Sequence, residues 1–288
     1  MSSVTHDHRS VGRRRLAPAV GMLSVAAALA AAPLSAGAAT WSDTSVGYRT
    51  STRFTEPGIK GYVRKNIYSF TYVGGYKYGT NFFTADFLVS DDNDPAAGGG
   101  GGAQEVYAVY RNTVSLGKVS GHKLAFGPVK DVGITFGFDM NSKDTAFAPR
   151  VRKFVIGPTL SFDVPGFFDV SLLYRTESNH NGIVGKTVVF DPTYGVSLSW
   201  GIPFNSIHAK FTGFLDYIGK KGKNGFGAQT GAETLMRAYL MYDVGALAGK
   251  KQTFYAGVGY EYWHNKFGVA TGPGNDTTAP MLAVEWHL

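Results

Sequence analysis

Many side chains in this sequence can do chemistry, but few stand at the spacing that a catalytic or metal site requires. His122, His180, His208, His264 and His287 are scattered with no ligand spacing, and the run Gly98 to Gly102 lacks the strand-to-helix context of a phosphate loop. Asp91, Asp92 and Asp94 beside it fit a solvated loop better than a calcium site. What does recur is ionic. Arg49, Arg53, Asp86, Glu105, Arg111, Asp169, Arg175 and Glu177 each occupy the polar phase of an apolar/polar alternation. Charges of both signs on one face can hold hydroxyls and water, or can neutralise one another across neighbouring strands. No catalytic residue, metal or cofactor is expected.

The alternation has period two, the signature of strands whose successive side chains face opposite sides. From Trp41 it places Val46, Tyr48, Thr50, Thr52 and Phe54 opposite Arg49, Ser51 and Arg53, then Tyr68, Phe70 and Tyr72 opposite Ser69 and Thr71. Phe83, Ala85, Phe87 and Val89 oppose Thr84, Asp86 and Ser90, and Val106, Ala108 and Tyr110 oppose Glu105 and Arg111. The pattern continues through Val132 to Asp139, Phe154 to Asp163, Phe168 to Glu177, Asp191 to Trp200, Ile207 to Tyr217, Phe254 to Tyr262 and Leu282 to Leu288. Glu233 to Asp243 fits a short helix as well as a strand, although Met236, Ala238, Leu240 and Tyr242 alternate there with Arg237 and Asp243. Counting that segment, twelve strands are predicted.

Composition separates the classes that such a pattern allows. The 288 residues include 20 Phe, 16 Tyr, 4 Trp and 38 Gly, with no Cys and only 17% charged residues. A mean hydropathy of -0.08 excludes a bundle of membrane helices. A soluble sandwich turns its polar face to water and fills the other with aliphatics, whereas a membrane barrel carries an apolar, aromatic band outside and a polar lumen within. Connections near 74–79, 164–166, 202–204 and 245–251 are short, and those at 55–64, 91–104, 140–152, 178–186, 219–232 and 265–278 are long and polar. Such alternation of short turns and long loops belongs to the barrel. Residues 116–130 break it with a longer connection that has room for local structure.

Arg13, Arg14 and Arg15 precede an apolar, alanine-rich segment ending Ala36-Gly37-Ala38, the layout of a secretory signal peptide. Residues 1–38 are expected to be cleaved, leaving residues 39–288 as a transmembrane antiparallel β-barrel in the outer membrane, in contact with its lipid. That mature part keeps 24 basic and 20 acidic residues, a net +4 that is too mild for a nucleic-acid partner. Eight-stranded barrels are filled by side chains and sixteen-stranded ones leave a wide pore, so twelve strands imply a narrow passage for small solutes.

Two patches carry a family likeness. Ser115 to Val119 followed by Leu124-Ala125-Phe126-Gly127-Pro128-Val129-Lys130-Asp131, and Tyr262-Trp263-His264, resemble segments of the nucleoside-specific channel-forming (Tsx) proteins of Gram-negative outer membranes. Val129 stands where that family usually has an aromatic residue. The resemblance implies a twelve-stranded monomeric barrel passing nucleosides. A nucleoside offers a flat base that stacks on aromatic faces and a ribose that wants hydrogen bonds. Inward-facing Tyr107, Tyr255 and Trp263 are therefore candidate base platforms, with the ionic residues above as partners for hydroxyls, and Phe126 to Asp131 reads as a periplasmic turn.

Two alternatives remain. Outer-membrane lipid hydrolases place a His two residues before a Ser at the outer end of a strand, but here Thr176 precedes Ser178 and His180 follows it, which is the wrong order. An enzyme is therefore not expected. A barrel serving as a surface receptor without transport has no sequence feature against it.

Overall fold

The computed structural model describes residues 39–288, so the expected signal segment lies outside the described residues. The strands are β1 (Trp41–Phe54), β2 (Val63–Tyr76), β3 (Gly79–Ser90), β4 (Gln104–Ser115), β5 (Val129–Lys143), β6 (Arg152–Phe162), β7 (Phe167–Asn181), β8 (Lys186–Val189), β9 (Thr193–Phe204), β10 (Ala209–Ile218), β11 (Glu233–Asp243), β12 (Phe254–His264) and β13 (Thr277–His287). Every pairing is antiparallel, and β13 pairs back onto β1 from Ser45–His287 to Thr50–Leu282. Twelve strands thus form a closed ring, while β8 pairs only with the outer end of β7. Closure leaves the twelve-stranded ring without a free edge, the condition for placing a sheet in lipid, and only β8, beyond the outer end of β7, keeps one.

The ambiguous segment is strand β11, and residues 116–130 hold one short helix, α1 (Leu116–Ser120). Ser115 caps that helix by accepting from the Lys118 amide at 3.0 Å, and Gly121 ends it in the left-handed region. Phe126 and Val129 close a tight turn through reciprocal backbone hydrogen bonds of 3.0 and 2.9 Å. Strands overrun the expected turns elsewhere: β7 continues to Asn181 and β9 to Phe204. The start of β1, the end of β13 and the short turns lie at one end of the ring, the periplasmic end of an outer-membrane barrel.

The two faces differ as lipid and water require. On the outside, Leu240, Val258 and Leu282 are neighbours across β11, β12 and β13 and are at least half exposed. Aromatic pairs ring the periplasmic rim: Phe162 with Phe168, Trp200 stacked on Phe211 at 5.6 Å, and Phe254 with Trp286. Trp200 lies flat because residue 213 is glycine, where a Cβ would come 2.6 Å from the indole. Tyr174 and Tyr194 meet at 5.5 Å near the opposite rim. These are the aromatic belts expected at membrane interfaces. Inside, hydroxyls join into a ladder, Thr113 to Thr135, Thr135 to Thr159 and Thr159 to Ser171, crossing β4 to β7.

One face assignment is corrected. A bulge between Ser51 and Phe54 inserts an extra residue into β1, and beyond it the phase inverts. Phe54 therefore turns inward and is buried with Ile67, Ala279 and Met281. Arg53, expected in the lumen, is exposed outside, where its guanidinium lies 4.9 Å over the Tyr62 ring and donates to the Tyr62 hydroxyl at 2.9 Å.

Candidate functional site

An ion network crosses the lumen. Arg49 of β1 binds Asp86 of β3 in a fork, with Nη1 donating to Oδ1 at 3.1 Å and Nη2 to Oδ2 at 2.5 Å. Asp86 Oδ2 also lies 3.6 Å from Arg237 Nη1 of β11, and Arg237 donates through Nε and Nη2 to Glu261 at 3.0 and 2.7 Å. Going round the ring from β3 through β2, β1, β13 and β12 to β11 takes five steps of twelve. The Asp86–Arg237 contact therefore joins nearly opposite walls.

The other predicted ionic residues fall into separate groups. Arg111 lies 2.6 Å from Asp139, which also accepts from the Tyr107 hydroxyl at 3.2 Å. Arg175 donates to Asp216 at 3.0 Å, and Ser197 donates to the same carboxylate. Glu177 accepts from Lys221 at 2.6 Å and has Lys153 at 3.9 Å, while Glu105 accepts from Asn141 at 2.7 Å. Asp169 stands near the periplasmic end, across the strand pair from Ser161, away from all of these.

The three predicted aromatic platforms face inward but are already engaged. Tyr107 is held by Asp139, Tyr255 carries Lys210 Nζ 4.0 Å over its ring, and Trp263 carries Lys266 Nζ at 4.7 Å while donating to Glu233 at 2.8 Å. Free aromatic surface lies elsewhere. A cavity of about 150 Å3 on the periplasmic side of the crossing is bordered by Phe82, Phe214 and Tyr239, together with Thr71, Thr84 and Arg49. At about 30 Å3 per water this is room for about five waters. Buried Arg49 Nε, which borders it, has no protein partner among the described residues. Phe82 shares the phase of Thr84 and Asp86, Phe214 that of Thr212 and Asp216, and Tyr239 that of Arg237, so strict phase counting would have found all three.

At the extracellular mouth the loop between β1 and β2 sends Glu56 inward. Its carboxylate accepts from Lys65 and, at 3.1 Å, from Lys266, with Lys143 at 3.6 Å. Burial alone would push this carboxyl up, but Lys266, Lys65 and Lys143 outweigh it and hold the group well below its ordinary 4.5. A depressed acid stabilises above its unfolded value and loses that contribution only as pH falls through the folded one. The mouth cluster is therefore expected to survive acidification from pH 7 to 4.5 and to loosen only below it. Tryptophan emission followed through that range checks this, and a transition centred above pH 5 contradicts it.

Ser178 and His180, the nearest approach to a hydrolase pair, stand two apart on β7 and pair with Val189 and Thr187 of β8. Among the described residues no group of three metal-ligating side chains converges, and no helix is long and apolar enough to cross a membrane.

No protein-family model and no curated protein matches the chain. Solved structures do. An outer membrane channel from Pseudomonas putida F1 superposes with a TM-score of 0.51 at 10% identity, covering 89% of this chain and 99% of that one. The NanC porin superposes with a TM-score of 0.46 at 12% identity over 86% of this chain and 100% of that one. The translocator domain of the autotransporter NalP from Neisseria meningitidis gives 0.41 at 13% identity over 93% and 95%. At 10% identity the likeness to the Pseudomonas channel is one of fold. With its closed ring of twelve strands, apolar belt, aromatic rims and charged interior, the chain is a transmembrane β-barrel of the outer membrane.

Proposed function

We propose that the barrel is a passive channel for small polar solutes, acting as a monomer and not as an enzyme, and that nucleosides are the class its lumen suits. The observation that carries this reading is the cavity beneath the cross-lumen bridge. Three aromatic side chains, two threonine hydroxyls, an unpartnered arginine nitrogen and two carboxylates, Asp86 and Glu285, surround one small space. Aromatic faces take a flat base without regard to its identity, while hydroxyls and both signs of charge take ribose and exclude no neutral solute. The local likeness of Phe126 to Asp131 and of Tyr262 to His264 to the Tsx proteins points to the same class.

Single-channel recording in planar bilayers tests it. Adenosine or uridine is expected to reduce ion conductance in a saturable way, and Phe214→Ala or Tyr239→Ala to weaken that block. Loss of one base-stacking partner is worth about 1–3 kcal/mol, a factor of about 5 to 150 in the blocking constant. Conductance that no nucleoside alters would remove the nucleoside and keep the channel. Absence of conductance would favour a receptor, and lipid cleavage an enzyme.

A further inference from the structure

We propose that Lys65, Lys143 and Lys266 form a binding site at the extracellular mouth for a carboxylate or phosphate group carried by a solute, a site that Glu56 fills in the structure described. This concerns a different place in the lumen and a charged class of ligand, and it does not depend on the nucleoside reading. The three ammonium groups come from β2, from β5 and from the loop after β12, and they converge on one carboxylate. Lys65 and Lys266 are 3% and 2% exposed and Glu56 is 7% exposed. Asp94 takes Lys143 at 2.7 Å, so two carboxylates face three lysines at contact distance, Lys65 and Lys266 buried and Lys143 half-buried. Glu105 and Glu261 act on Lys65 and Lys266 only from farther off.

An excess of buried cation does not favour stability, because each charge removed from water needs a partner. It does favour an incoming anion. Lys266 feels the imbalance: burial, with Lys65 and Lys143 beside it, pulls it below the ordinary 10.5 in spite of Glu56.

The carboxylate is also placed to leave. The backbone on either side of Glu56 is pinned to the loop after β12, by Thr55 Oγ1 donating to the Asp276 carbonyl at 2.6 Å and the Gly58 amide donating to the Pro273 carbonyl at 2.9 Å. Residue 274 is glycine against the Glu56 carbonyl, where a Cβ would stand 2.0 Å away. Release is thus a rotation of the Glu56 side chain. That rotation strands Lys65 and leaves Lys266 with only the Thr55 carbonyl at 2.8 Å unless another anion takes its place, so arrival of the anion and withdrawal of Glu56 are one exchange.

Trp263, against whose ring Lys266 rests, reports on the site. Inorganic phosphate titrated into the full chain in a phosphate-free detergent, at ionic strength matched with chloride, is expected to change its emission saturably. Glu56→Gln removes the tethered competitor and is expected to tighten phosphate binding at least tenfold, whereas Lys143→Gln weakens it at least fivefold. Should Glu56→Gln fail to fold, Glu56→Asp, one methylene shorter, is expected to give a smaller gain in the same direction. Unchanged affinity in the Glu56 variant that folds overturns the proposal, as does an unchanged affinity in Lys143→Gln. A response to phosphatidylglycerol micelles without any to soluble phosphate would assign the site to a lipid headgroup and overturn it as a solute site. The readout is binding, so a chain that conducts nothing still answers the question.

Discussion

Leu282→Arg is expected to destabilise the barrel in a phosphatidylcholine bilayer by about 2–4 kcal/mol, the cost of a cation near the midplane on the lipid face of an outer-membrane barrel. Leu282 lies midway along β13, is 66% exposed, and continues the apolar row through Val258 and Leu240. No acidic side chain is a cross-strand partner there, since its neighbours are Thr50 and Val258. Thr84→Arg makes the comparison informative. Thr84 faces the cavity and shares a hydrogen bond of 3.0 Å with Thr71. Its replacement loses that bond, at most about 1.5 kcal/mol, while the new charge stays in water. Urea unfolding of both variants refolded into vesicles decides the matter. Equal penalties, or a larger one for Thr84→Arg, would mean that the apolar stripe does not face lipid.

The fold was legible because one physical requirement, an apolar outside and a wet inside, imposes period two on every strand. Glu233–Asp243 is ambiguous because only Glu233, Arg237 and Asp243 mark its polar phase clearly, while Leu235, Tyr239 and Met241 also face inward. Strand ends were less legible, since pairing carries β7 and β9 past residues whose types suggest turns. The phase slip at Ser51 had no sequence signal, as a bulge is a property of the pairing register and not of the residues in it. Arg53 was misplaced for that reason alone. Within the lumen, the ionic residues were found by phase, but which would meet was not, because partners such as Asp86 and Arg237 lie on strands five steps apart. The three expected aromatic platforms share the right face and still carry other loads, because a lysine or a carboxylate reaches each of them first. Glu56 was invisible, since loop residues have no phase.

Asp86→Asn is expected to have the largest effect of any single change in the lumen, because one carboxylate there serves two arginines from nearly opposite walls. Removing one partner of a buried pair costs about 3–5 kcal/mol, since the other charge is left uncompensated. The lower end is expected, as the adjoining cavity brings water to Arg49. The Asn amide still accepts from one guanidinium but no longer carries the charge that draws Arg237 across. Two consequences follow together: conductance rises as the bridge opens, and the reversal potential under a salt gradient shifts toward chloride as Arg49 and Arg237 lose their counter-charge. Glu261→Gln separates bridge from charge. It removes the partner that Arg237 has on its neighbouring strand and leaves Arg237 free to engage Asp86 more closely. That variant is expected to lose stability and to gain no conductance. If Asp86→Asn conducts and selects as the unaltered chain does, the Asp86–Arg237 contact is not the element that sets the passage.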